Sequence, residues 1–136
     1  MQYGICPLSI VPLRAEPKNT SEQTSQLLYG EFFTILDLQK SWSKIQNEGD
    51  GYKGWINNKH FQFIDKRIFQ KLQATKKKYA VELVDFIWKD DDILFPTPIG
   101  SLVSSAQTLG HRFEGKELFD AKSKTKLVST ALHYLN

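Results

Sequence analysis

The chain has 136 residues, 40% of them hydrophobic and 24% charged, enough for one compact domain or two very small ones. Lys and Arg total 18 against 15 Asp and Glu, and the formal net charge of +3 is too even a balance to point to nucleic acid or a membrane surface. The single cysteine, Cys6, excludes an internal disulfide, and His60, His111 and His133 lack ligand spacing, so neither a metal nor any other cofactor is expected.

The N-terminus, MQYGICPLSIVPLRAE, has no basic leader, sustained apolar core or small-residue cleavage site. The apolar runs elsewhere fall far short of the ~20 residues that span a membrane. The expectation is a cytoplasmic protein, or a periplasmic one if a leader has been removed.

Short strands follow. In Ile10–Leu13, Val11 and Leu13 share a face and Pro12 suits an edge or a kink. RAEPKNTSEQTS has turn residues and no helical period, which predicts a surface loop. Leu27 and Leu28 lead to Gly30. In EFFTIL, Phe33 and Ile35 point one way and Phe32 and Thr34 the other. WSKI and GWI repeat the pattern, with Ile45 and Ile56 inward and Trp55 outward or at the rim; NEGDGYKG between them must turn. Five such strands within residues 1–64 predict a small barrel that closes its own edges.

Residues 65–78 change character. Asp65 is a favoured N-cap, Ile68, Phe69 and Leu72 recur at helical spacing, and Lys76–Lys78 reads as a solvated linker. A second small β module is expected over 79–125. YAVELVDFIW is rich in β-branched and aromatic residues, Pro96 and Pro98 exclude a regular central strand, and HRFEGKELFDA suggests a hairpin about Glu114 and Gly115. In 126–136, Leu127, Val128, Ala131, Leu132 and Leu135 form a helical stripe. The fold class expected is therefore mainly β: two small barrels, a short joining helix and a C-terminal helix.

VPLRAEP, LLYGEFFTIL, WSKI and GYKGWI, in this order and spacing, resemble a bacterial SH3-like domain. With the helix, the second module carrying FPTPIGS and FEGKELF, and the terminal helix, the chain resembles the N-terminal half of an NlpC-family cell-wall peptidase. Those cysteine peptidases cleave between D-glutamate and the diamino acid of peptidoglycan stem peptides. The resemblance implies a papain-like catalytic domain that would begin at the terminal helix. Its Asp-Cys-Ser-Gly-Phe-type motif is not in this sequence, so the chain is expected to hold no catalytic residue.

The resemblance also implies that Glu16 in RAEP and Tyr52 in GYKGW hold the free N-terminal amine of the stem peptide's L-alanine. An ammonium group offers three N–H donors, and a carboxylate and a phenolic oxygen accept them. Without the resemblance, Glu16 is an ordinary solvated carboxylate and Tyr52 an aromatic packed on the barrel rim. Trp42 and Trp55 make either an aromatic shelf for peptide or rim packing. Two functions follow. One is substrate recognition for a stem-peptide endopeptidase, with the peptide and a catalytic domain as partners. The other is a stand-alone module that binds cell-wall peptide or a protein.

Overall fold

The computed structural model describes residues 1–90, 93–115 and 117–118. Its first half is built from seven strands, β1 (Gln2–Ile5), β2 (Ile10–Arg14), β3 (Gln23–Leu28), β4 (Phe32–Leu38), β5 (Trp42–Asn47), β6 (Lys53–Asn57) and β7 (Gln62–Ile64). They form one antiparallel sheet in the order β3-β2-β6-β5-β4-β1-β7. The chain is mainly β, as the alternating pattern predicts.

Period-two alternation decides which side chains face inward. On β5, Ser43, Ile45 and Asn47 are buried while Trp42, Lys44 and Gln46 are half-buried on the other face. Val11, Leu13, Leu27, Phe33, Ile35, Ile45 and Ile56 meet Cys6 and Phe61 in a single core. Burying a side chain such as Phe33 or Ile45 stabilises the fold by about 1.5–3 kcal/mol. Residues from β2 through β6 reach this core, so the sheet curls around it.

Three details differ from the sequence expectation. Seven strands are present, not five, because β1 and β7 add to the β4 side of the sheet. Strand β3 begins inside the stretch expected to be loop, at Gln23. Among the described residues no ladder joins β3 to β7, so side chains rather than hydrogen bonds close the barrel. Strand β1 escapes a sequence reading because Gly4 interrupts it. A Cβ on Gly4 would lie 2.5 Å from the Phe33 ring, so tertiary packing dictates the glycine.

Helix α1 (Lys66–Ala74) starts where the Asp65 side chain accepts a hydrogen bond from Ile68 N at 2.8 Å. Its buried face, Phe69 and Leu72, covers the outer side of β1 and β4. Phe69 stacks on Tyr3 at 4.1 Å and meets Phe32 edge-on at 5.6 Å, which explains why Phe32 is buried although it points away from the barrel core. The lysines after α1 are more than a solvated linker. Lys77 lies over the Phe32 ring at 5.8 Å, and Lys78 pairs with Glu117 at 3.4 Å.

The second half comprises β8 (Tyr79–Ala80), β9 (Val84–Asp90), β10 (Ile93–Pro98), a 3-10 turn at Val103–Ser105, β11 (Arg112–Phe113) and β12 (Glu117–Leu118). One sheet has the order β10-β9-β11, and β8 pairs with β12. Pro96 and Pro98 lie on β10, an edge strand, as their missing N–H groups require. The hairpin expected about Glu114 and Gly115 is corrected: β11 pairs with β9 and β12 with β8. Strand β11 extends the β10-β9 ladder, and β12 pairs with β8, whose Tyr79 and Ala80 are both buried. The expected C-terminal helix, 126–136, lies outside the described residues.

The joint between the halves is the segment Tyr29–Gly30–Glu31. Tyr29 O accepts from Leu102 N at 2.7 Å, and Gly30 O accepts from Ser105 Oγ at 2.7 Å. Gly30 has φ +82°, and a Cβ there would lie 2.0 Å from Leu102 O. Only glycine fits. The buried Glu31 carboxylate accepts from Leu28 N at 2.7 Å and from Asn47 Nδ2 at 3.0 Å, which pins the joint to the barrel. Tyr29 itself packs with Ala80, Ile87, Val103 and Ala106, and so belongs to the core of the second half.

Candidate functional site

The loop after β2 presents Glu16. Its base is fixed by Ala15 N donating to Glu22 O at 2.9 Å, by Glu16 N donating to Ser21 Oγ at 2.9 Å, and by Arg14 Nη1 donating to Ser21 O at 3.2 Å. Ser21 is buried, so the loop wraps a polar anchor while its tip faces water. The Glu16 carboxylate is solvent-exposed and holds the Lys18 ammonium at 3.3 Å.

Tyr52 follows the turn that the glycines of NEGDGYKG make between β5 and β6. Gly51 N donates to Asn47 O at 2.8 Å, Tyr52 N donates to Asp50 Oδ1 at 2.9 Å, and Gly51 has φ +72°. The Tyr52 ring is 37% exposed, and its hydroxyl donates to Thr24 O at 3.4 Å. Thr24 lies just after the loop that carries Glu16. The two residues therefore stand on the same side of the barrel, although no hydrogen bond or ion pair joins them among the described residues.

Trp42 and Trp55 lie on the outward, half-buried face of β5 and β6. Trp42 is opposite Asn57, and Trp55 is opposite Lys44 on one side and Arg14 on the other. Their registers make them diagonal neighbours on one face, the spacing at which long aromatic side chains come within reach. The row Arg14, Trp55, Lys44 leads from the base of the Glu16 loop across the sheet.

Cys6 has no exposed surface, and its Sγ donates to Leu8 O at 3.3 Å. Burial pushes its thiol from 9.0 up to about 12. A nucleophilic cysteine needs a lowered value and an imidazole base in reach; Cys6 has the reverse, in the barrel core. Among the described residues no group of three or more His, Cys, Asp or Glu is placed to hold a metal. No described helix is long and apolar enough to cross a membrane.

Sequence reasoning missed one constellation. At the joint, the Tyr29 hydroxyl and His111 Nδ1 are 2.6 Å apart, and the imidazole stacks on Tyr29 and meets Phe95 edge-on. Burial lowers the His111 pKa below its ordinary value, and Lys89 lowers it further. Tyr29 and His111 are 82 positions apart, and nothing local to either signals the other.

Comparison with curated proteins gives no match. Comparison with protein-family models matches residues 13–61 to the family described as "Bacterial dipeptidyl-peptidase Sh3 domain". The matched span runs from the end of β2 to just before β7 and contains Glu16, Trp42, Tyr52 and Trp55. On that match and on the mainly β fold, the chain carries a bacterial SH3-like region.

Proposed function

We propose that this chain is the non-catalytic substrate-recognition region of a murein stem-peptide cysteine endopeptidase. Its SH3-like region shapes the cleft and receives the free N-terminal amine of L-alanine between Glu16 and Tyr52. The observation that carries this reading is the exposed Glu16 carboxylate, already holding an ammonium, that of Lys18, on a loop anchored through buried Ser21. A substrate amine would replace one ammonium with another, at a position the loop has fixed in advance.

Tyr52 supports the reading from the facing turn. Its hydroxyl oxygen can accept from the amine while its hydrogen stays on Thr24 O. Trp42 and Trp55 give the peptide a flat apolar wall beside that rim. An acylated amine carries no charge, so this arrangement selects free-ended murein fragments over cross-linked wall. The bond-breaking cysteine and histidine would come from a papain-like domain that partners this chain.

Titration with L-Ala-γ-D-Glu-diamino acid tripeptide and its N-acetyl derivative tests the reading. The free peptide is expected to bind about fivefold tighter, the range of an exposed ion pair. Glu16→Gln should erase that preference and Tyr52→Phe should reduce it. Equal binding of the two peptides to the unaltered protein would sink the amine clamp and favour a stand-alone wall-binding module.

A further inference from the structure

The joint between the halves opens into a cleft of about 420 Å³, within the size range of small-ligand sites. Leu8 from the barrel half and Phe95 and Leu109 from the second half give it apolar walls, and Lys89 and His111 supply its charge and polarity. Ser9 Oγ donates to Pro96 O across the joint, beside the cleft. A second cleft of about 370 Å³, lined by Trp88, Asp90 and Arg112, shares Lys89 and His111 with the first.

The protonation of His111 follows from its partner. Tyr29 has no exposed surface, and its single O–H proton needs an acceptor. His111 Nδ1 is the atom within reach, so the hydroxyl donates to Nδ1 and the ring hydrogen sits on Nε2. Among the described residues Nε2 has no hydrogen-bond partner. The cleft thus carries a fixed neutral N–H donor and the Lys89 ammonium, with hydrocarbon opposite. Lys89 sits where the β9–β10 ladder slips between Ile93 and Leu94, and there it lines the cleft together with His111.

We propose that this cleft binds a small carboxylate with a compact apolar body. The carboxylate accepts one hydrogen bond from His111 Nε2 and an ion pair from Lys89, and the body packs on Leu8, Phe95 and Leu109. Charge complementarity selects the anion. Both halves of the chain contribute, so an occupied cleft also holds the joint together. The site is separate from Glu16 and Tyr52 and stands or falls independently of them.

Amide NMR titration of the protein with phenylacetate, and with phenylacetamide as its uncharged match, tests the site. Phenylacetate should bind in the millimolar range expected of a ligand this small, shifting the amides of Leu8, Lys89 and His111. Phenylacetamide should bind about fivefold more weakly. Lys89→Ala, at an exposed position that leaves the core intact, should weaken phenylacetate to the level of the amide and leave phenylacetamide unchanged. Equal binding of acid and amide, an unchanged phenylacetate affinity in Lys89→Ala, or shifts that spare Leu8 and His111 would each overturn the proposal.

Discussion

The barrel half draws its core from five of its own strands, with Val11, Leu27, Phe33, Ile45 and Ile56 facing one another, whereas the core of the second half includes Tyr29 from the joint. The difference follows from strand length. All five strands β2 to β6 run five to seven residues and bury an alternating face; in the second half only β9 and β10 reach that length, and β8, β11 and β12 have two residues each, too few long strands to enclose a core alone. A region with only two long strands depends on docking, and the docking here is a buried tyrosine, a glycine carbonyl that accepts from Ser105 Oγ, and the backbone hydrogen bond from Leu102 N to Tyr29 O.

Loss of the barrel core should therefore cost the second half its platform, while the reverse should not hold. Phe33→Ala is expected to destabilise the protein by about 4 kcal/mol and to unfold both halves in one transition. Ile87→Ala, at about 3 kcal/mol, should strip hydrogen-exchange protection from β9 and leave β4 and β5 protected. Protection lost equally in both halves of the Ile87 variant would remove the asymmetry.

The joint itself is broken by Gly30→Ala. A methyl group would be forced onto Leu102 O at a left-handed position, for a loss of about 3 kcal/mol. Urea denaturation should show that loss, and exchange protection should fail first in β8 and around Ser105. A stable variant with an unchanged midpoint would mean the joint has slack that its hydrogen bonds do not suggest.

A stability profile against pH should separate the halves most gently. Burial holds His111 below 6.5, so the unfolded chain takes up the proton first. The stability contributed by the neutral ring is complete above pH 6.5 and is lost as the pH falls from there toward the folded-state value. Cys6 gives the opposite limb in the barrel. Its thiol is raised from 9.0 to about 12, so its contribution is complete below pH 9.0 and is lost as the pH climbs through that window. Thermal melts across pH should show the acid limb vanish in His111→Asn and the alkaline limb shrink in Cys6→Ala.

What could be read from the residues follows the same division. EFFTIL, WSKI and GWI declare their faces by alternation, and Asp65 with Ile68, Phe69 and Leu72 declares a capped helix. Strand β1 was hidden because Gly4 answers to two rings, Phe33 and Phe61, distant in sequence. The hairpin about Glu114 was misread because two-residue strands take partners by position in space and not by pattern. In the candidate site, Glu16 and Tyr52 were legible as residue types within short motifs. The joint cleft was not, since Leu8, Lys89 and His111 belong to segments that only the folded chain brings together.

Strand β1 pairs with β4 on one side and with β7 on the other. Assembly of the barrel therefore cannot follow the order of synthesis. The hairpins β4–β5 and β5–β6, joined by short turns, have local contacts and can close within microseconds, while β1 gains its second neighbour only with Gln62–Ile64. Strand β1 therefore keeps one edge of its backbone unpaired until β7 is in place, and helix α1, which follows β7 directly, then covers its outer side.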